Sequence, residues 1–266
     1  MPPPPLHFAT FLAPNMLGVY AAVVRHVGSR LGVAAELHVG TDYEQALDEF
    51  DASFLCGLAY VELADRPGRP LEAVAAPVLA GERYGGRAVY FSDVIVRADS
   101  PFRCFADLRG HSWSYNEPYS HSGYGITRFR LVQLGETAGY FGRVVEAGWH
   151  ERSIGLVCEG SVDASAIDSH VLALCLRERP ELARGLRVID TLGPSTVQPL
   201  AVSRRLPARA RQELQAVLVE MAGDPAAREA LARGLVERFV PVGDGCYDDL
   251  RAMRDACRRA NFLTLQ

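Results

Sequence analysis

Short apolar runs alternate with amphipathic stretches along nearly the whole chain. Residues 7–12 read as a buried strand. After them Leu17, Tyr20, Ala21, Val24, Val27 and Leu31 recur at the i, i+3, i+4 spacing that gives a helix one apolar face. Val33, Ala35, Leu37 and Val39 alternate as a strand does, Thr41 suits the cap of a short helix, and residues 52–56 predict a further buried strand. A longer β-rich stretch, 87–96, then runs into the turn signal Asp99-Ser100-Pro101.

The alternation then resumes. It predicts strands at 112–115, 143–147, 162–167 and 186–190, and helices at 123–134, at 151–159 and up to about 176. One more strand, 198–202, precedes a remainder that reads as helical over 209–222, 225–237 and 247–259. Strand–helix–strand alternation produces a mostly parallel sheet flanked by helices. Two such series predict an α/β fold of two lobes joined by a double hinge. The expected first lobe is 1–95 plus 202–266, with the helical tail packed on it, and the second is the inserted segment 96–201. A ligand is expected in the cleft, at loops where strands end and helices begin.

Composition narrows the chemistry. The chain has 266 residues and a formal net charge of -4, which offers nucleic acid or an anionic membrane no concentrated basic surface. It contains no lysine, so all 28 basic residues are arginine, and both a lysine Schiff base and a P-loop are excluded. Six cysteines lie scattered, without the paired spacing of a disulfide framework or a zinc knuckle. Seven histidines include no H-x-x-x-H pair, so no helical metal site is expected, and no cofactor is implied. No apolar run approaches the ~20 residues of a membrane span. Met1 followed by four prolines lacks the basic and apolar regions of a secretory signal.

The chemistry-bearing segment is Tyr119-Ser120-His121-Ser122-Gly123-Tyr124, between a predicted strand and a predicted helix. Unpaired backbone N–H groups, the positive end of the helix dipole and two hydroxyls suit a tetrahedral oxyanion there. The same pattern also describes a plain N-cap. His150 follows a strand and opens a helix, where it can donate to a phosphoryl oxygen or simply cap. Asp168 ends a strand, where it can accept from a protonated ligand oxygen or cap the next helix.

Ser-x-Ser-Gly-Tyr after a strand resembles the anion-binding turn of phosphonate-type periplasmic binding proteins, the substrate-binding subunits of phosphate/phosphonate ABC importers. Further segments are similar to that family in order and spacing: 51–60 ending in Tyr60, 90–100 with Tyr90 and Ser92, 105–110, 148–150 and 160–164. The resemblance implies a two-lobed type II periplasmic-binding fold that closes around a small phosphonate, phosphite or phosphate. It implies ligand contacts from Ser120, His121, Ser122, His150 and Asp168 on one lobe, with Tyr60, Tyr90 and Ser92 reaching in from the other. Cys56, Gly57 and Asn15 are weaker candidates at the same rim. It also implies an ABC importer membrane subunit as partner, a monomer, and a periplasmic location if a signal has been removed. If Met1 is the native start, the location is cytoplasmic.

One departure bears on the ligand. The return stretch Gly193-Pro194-Ser195-Thr196 contains no acid, so a compact or uncharged tail is expected rather than an aminoalkyl one. A nucleophilic set of Ser122, His150 and Asp168 is disfavoured, because the serine lies outside a G-x-S-x-G elbow. A cytoplasmic biosynthetic enzyme or a ligand sensor on the same bilobal fold is the alternative.

Overall fold

The computed structural model describes residues 4–265. In chain order it begins with β1 (Leu6–Thr10), α1 (Leu17–Leu31), β2 (Ala35–Val39), α2 (Gln45–Asp48), β3 (Ala52–Phe54), α3 (Gly57–Ala64) and β4 (Leu71–Leu79). The middle is β5 (Val89–Arg97), β6 (Ser112–Tyr115), α4 (Ile126–Gln133), β7 (Arg143–Glu146), α5 (His150–Cys158), β8 (Ala164–Asp168), α6 (Ser169–Glu178) and α7 (Leu182–Gly185). The chain then returns through β9 (Leu186–Thr196) and β10 (Leu200–Ser203) to α8 (Ala208–Glu220), α9 (Pro225–Arg233), β11 (Val236–Pro241) and α10 (Asp248–Arg259).

Two compact units result: residues 4–89 with 196–248, and residues 90–195 with 249–265. In the first, the apolar face of α1 buries Val19, Val23, Val24 and Val27, and the helix stops at Gly32, whose φ of 67° is costly for any residue with a Cβ. Its sheet has the order β11-β4-β10-β3-β1-β2. The pairs β1–β2 and β1–β3 are parallel, whereas β10 and β11 run antiparallel to their neighbours. The second unit has the order β7-β6-β8-β5-β9, with β6 parallel to β7 and β8 and β5 antiparallel to β8. Its core gathers Trp113, Phe105, Phe141, Leu131 and Ala164, all nearly inaccessible to solvent.

Several expectations need correction. β4 has no counterpart in the sequence pattern: its run of alanines does not alternate, because an interior strand is buried on both faces. β11 stands where the pattern predicts the end of a helix, since Val236-Glu237-Arg238-Phe239 spaces its apolar residues as an amphipathic turn does. Each α/β unit mixes parallel and antiparallel pairs in its sheet. The unit boundaries also differ from 1–95 plus 202–266 and 96–201. β5 belongs with the second unit because it pairs along its length with β8, from Ser92 opposite Asp168 to Val96 opposite Ala164.

The C-terminal segment joins the second unit as well. The buried Arg128 guanidinium donates to the carbonyl oxygens of Phe262 (3.2 Å) and Leu263 (2.6 Å). Phe262 and Leu265 complete the same core, with Met253 packed against it.

Candidate functional site

Seven of the eight expected site residues fall in the second unit: Tyr90, Ser92, Ser120, His121, Ser122, His150 and Asp168. Each is buried. The turn forms because Ser120, beyond the end of β6, takes an extended conformation and its hydroxyl accepts from the Gly123 amide at 3.2 Å. The helix then opens with a wide π-type turn over His121–Gly125, in which the Gly125 amide donates to the Ser120 carbonyl at 2.9 Å. It continues directly into α4, so the turn caps one helical run from His121 to Gln133. Gly123 lies hard against Asn116: a Cβ there would meet Asn116 Oδ1 at 2.1 Å.

The side chains of this turn also contact one another and their neighbours. Ser122 Oγ lies 2.9 Å from Nε2 of His150, the first residue of α5. Ser120 Oγ and Ser122 Oγ are 3.4 Å apart. His121 Nε2 lies 2.9 Å from Ser195 Oγ, and its ring is 6.3 Å from that of Tyr90. Asp168, at the end of β8, caps α6 by accepting from the amides of His170 (2.8 Å) and Val171 (3.4 Å). Ser92 stands opposite Asp168 on β5.

Burial sets the protonation of both imidazoles. It lowers His121 to about 3, with the Arg128 charge adding to the effect. It lowers His150 to about 4, partly opposed by the Asp168 carboxylate. Both rings are therefore neutral near pH 7. His150 Nδ1 is buried without a hydrogen-bond partner among the described residues. The pair Ser122–His150 thus lacks the acceptor that orients the base in a catalytic triad. The arrangement offers neutral hydroxyl, ring and backbone donors at the positive end of a helix, with one carboxylate nearby.

Tyr60 is the eighth residue, and it lies on α3 in the first unit, fully buried. Its hydroxyl donates to Asp244 Oδ1 at 3.0 Å and accepts from the Ala73 amide at 3.1 Å, and its ring meets Tyr247 edge-on. Cys56 caps α3, Gly57 begins it, and Asn15 sits in a short 3₁₀ turn before α1, all in the first unit. Tyr90 and Ser92, expected to approach from the lobe opposite the turn, stand on the same unit as the turn instead, because β5 pairs with β8. Two residues join the site that the sequence pattern does not mark as site residues. Ser195 is the partner of His121 and is separated from it by 74 positions. Asn116 is the residue against which Gly123 packs, and its own neighbours in the chain carry no motif.

Comparison with known proteins extends the picture. Residues 8–247 match the model of a family described as the ABC transporter, phosphonate, periplasmic substrate-binding protein. No curated protein sequence matches the chain. Among solved structures, the binding protein component of an ABC phosphonate transporter from Pseudomonas aeruginosa has a TM-score of 0.84 at 19% identity, over 97% of this chain and 88% of that one. PhnD1 from Prochlorococcus marinus, in complex with methylphosphonate, has a TM-score of 0.78 at 16% identity, over 97% and 98%. A Xanthomonas citri protein bound to ATP has a TM-score of 0.69 at 20% identity, over 97% and 98%. At such identities the likeness to solved structures establishes the two-sheet α/β fold.

Proposed function

Because this chain belongs to the family of phosphonate ABC transporter periplasmic substrate-binding proteins, we propose that its Ser120–Ser122 turn and His150 hold the tetrahedral head of a small phosphorus oxyanion. The carrying observation is the 2.9 Å contact between Ser122 Oγ and His150 Nε2 at the start of the helical run. Helix-terminal amides, two hydroxyls and a neutral ring satisfy an anion through hydrogen bonds and need no opposite full charge. Methylphosphonate, the molecule bound to the Prochlorococcus marinus relative, is the reference ligand.

Asp168 adds a chemical preference. A buried carboxylate repels a fully ionised head, but it can accept from a P–OH group. Phosphonate, phosphite and phosphate monoanions carry such a hydroxyl, and a sulfonate does not. The acid-free stretch Gly193-Pro194-Ser195-Thr196 favours a compact or uncharged tail. In this reading the Ser122–His150 pair binds and does not act as nucleophile and base. The protein delivers its ligand to the membrane subunit of an ABC importer, which places it in the periplasm.

A thermal-shift panel tests the reading with phosphate, phosphite, methylphosphonate, aminoethylphosphonate, sulfate and methanesulfonate. A ligand at ~100 times its Kd stabilises the protein by about 2.7 kcal/mol. The expected result is a marked rise in Tm with one compact phosphorus oxyanion and little with the sulfur compounds. Loss of one charge-assisted hydrogen bond costs ~1.5–3 kcal/mol, so Ser122→Ala should weaken that ligand by roughly ten- to a hundredfold. No shift with any phosphorus oxyanion, or a shift that survives Ser122→Ala, would overturn it.

A further inference from the structure

The first unit carries a second constellation of ligating side chains, at the edge of its sheet. β2 is the edge strand and pairs in parallel with β1, with His7 opposite Glu36. Glu36 and His38, two residues apart on one strand, stand on the same face. A single carboxylate oxygen, Glu36 Oε2, lies 3.8 Å from His7 Nδ1 and 3.7 Å from His38 Nε2. Donor atoms of the three residues all lie within 4.8 Å of one another.

The platform beneath them is tied to neighbouring segments of the chain. The His7 amide donates to Asp51 Oδ2 at 2.9 Å, and the His38 ring rests against buried Phe50 with centroids 5.5 Å apart. We propose that His7, Glu36 and His38 form a binding site for a divalent transition-metal ion, with Zn²⁺ as the reference.

Two imidazoles and one carboxylate suit Zn²⁺, Ni²⁺ or Cu²⁺, whereas Mg²⁺ and Ca²⁺ prefer oxygen donors alone. Drawing the three donors to the ~2.0–2.2 Å bonds of zinc needs side-chain rotation only, because the strands already bring them together. The His7, Glu36 and His38 side chains are 41%, 58% and 44% exposed, so the remaining coordination positions face solvent and take water. A bound ion would clip the edge strand to its neighbour and stabilise the folded state by linkage. None of the three residues belongs to the proposed oxyanion site, which lies in the other unit. The H-x-x-x-H spacing of helical sites does not describe them, because the ligands sit on two strands, one of which carries E-x-H.

The test is calorimetric titration of the full chain, purified without an added histidine tag and in phosphate-free buffer. Zinc chloride is compared with magnesium chloride, and thermal unfolding is recorded alongside. The expected result is one zinc ion bound per chain, a rise in Tm, and no response to magnesium. His38→Ala and Glu36→Gln should each weaken zinc by at least about tenfold while leaving methylphosphonate binding unchanged. Both positions are solvent-exposed, so the variants keep the fold, which circular dichroism verifies. Zinc affinity unaltered in both variants, or no zinc response by either method, would overturn the proposal.

Discussion

At the scale of single residues, the candidate site depends on close approach as much as on donors. Gly123 is required because a methyl group there would stand 2.1 Å from Asn116 Oδ1, and 3.3 Å from the Asn116 backbone nitrogen. Asn116 is 7% exposed, so its side chain has little room to swing away. Gly123→Ala should therefore push the turn off Asn116 and misplace the Ser122 hydroxyl. The expected outcome in calorimetry is at least about tenfold weaker methylphosphonate binding, equivalent to ~1.4 kcal/mol, with only a modest fall in Tm. Unchanged affinity would mean that Asn116 yields and that the turn is not held by this contact. The identity of Ser120, Ser122 and His150 as candidates is legible in the sequence, because hydroxyls and glycine at a helix start carry a local signature. Their partners are not. The contact of His121 with Ser195 spans 74 positions, and only the return of β9 to the sheet creates it.

At the scale of elements, two helix starts bury neutral imidazoles, which makes the fold sensitive to acid. His121 lies in the opening turn before α4, and His150 begins α5. Burial is the main cause that holds them at about 3 and about 4, below the ordinary histidine value of 6.5. An unfolded chain binds both protons near pH 6.5, and the folded chain does not. Stability from these groups is thus complete above 6.5 and is lost progressively as pH falls through 6.5 towards about 4 and then about 3. Tm should decline over that range. His121→Asn, which keeps a hydrogen-bonding group beside Ser195, should flatten the decline, even if it lowers Tm at neutral pH. A slope identical to that of the unsubstituted protein would show that His121 titrates normally. Elements with a clean period are readable from the sequence in extent, as α1 is, although its buried face is displaced from the expected one: Leu17 is exposed, and Val19 and Val23 are buried beside Val24 and Val27. Those without one are not: β4 is apolar on both faces, and β11 mimics a helical turn.

For the whole molecule, the chain passes between its two units three times, at 89/90, 195/196 and 248/249. The two strand–helix series in the sequence imply the first two passes, although the pattern sets both several residues late. The third is hidden, because α10 has the composition of any amphipathic surface helix, and the residues beyond it decide where it packs. There Arg128 spans the carbonyls of Phe262 and Leu263 while stacking 4.5 Å from the Tyr124 ring. Tyr124 Oη donates to the Leu263 carbonyl and accepts from the Leu265 amide, both at 3.3 Å. Phe262 and Leu265 are 2% and 5% exposed, and burying such side chains contributes ~1.5–3 kcal/mol each. Both Tyr124 and Arg128 lie on the helical run that the Ser120–Ser122 turn opens. The C-terminal segment therefore supports the proposed anion turn from behind. Truncation after Asp248 removes that support together with α10. It should lower Tm sharply, weaken the near-ultraviolet circular dichroism of the buried Trp113, and abolish methylphosphonate binding. Arg128→Ala, a smaller change, should cost about 3 kcal/mol by leaving the Phe262 and Leu263 carbonyls without this donor, and should weaken binding in the same direction. If the truncated protein kept its oxyanion affinity and its tryptophan signal, the tail would be dispensable to the second unit. The division of the chain at 248/249 would then not describe how its parts depend on one another.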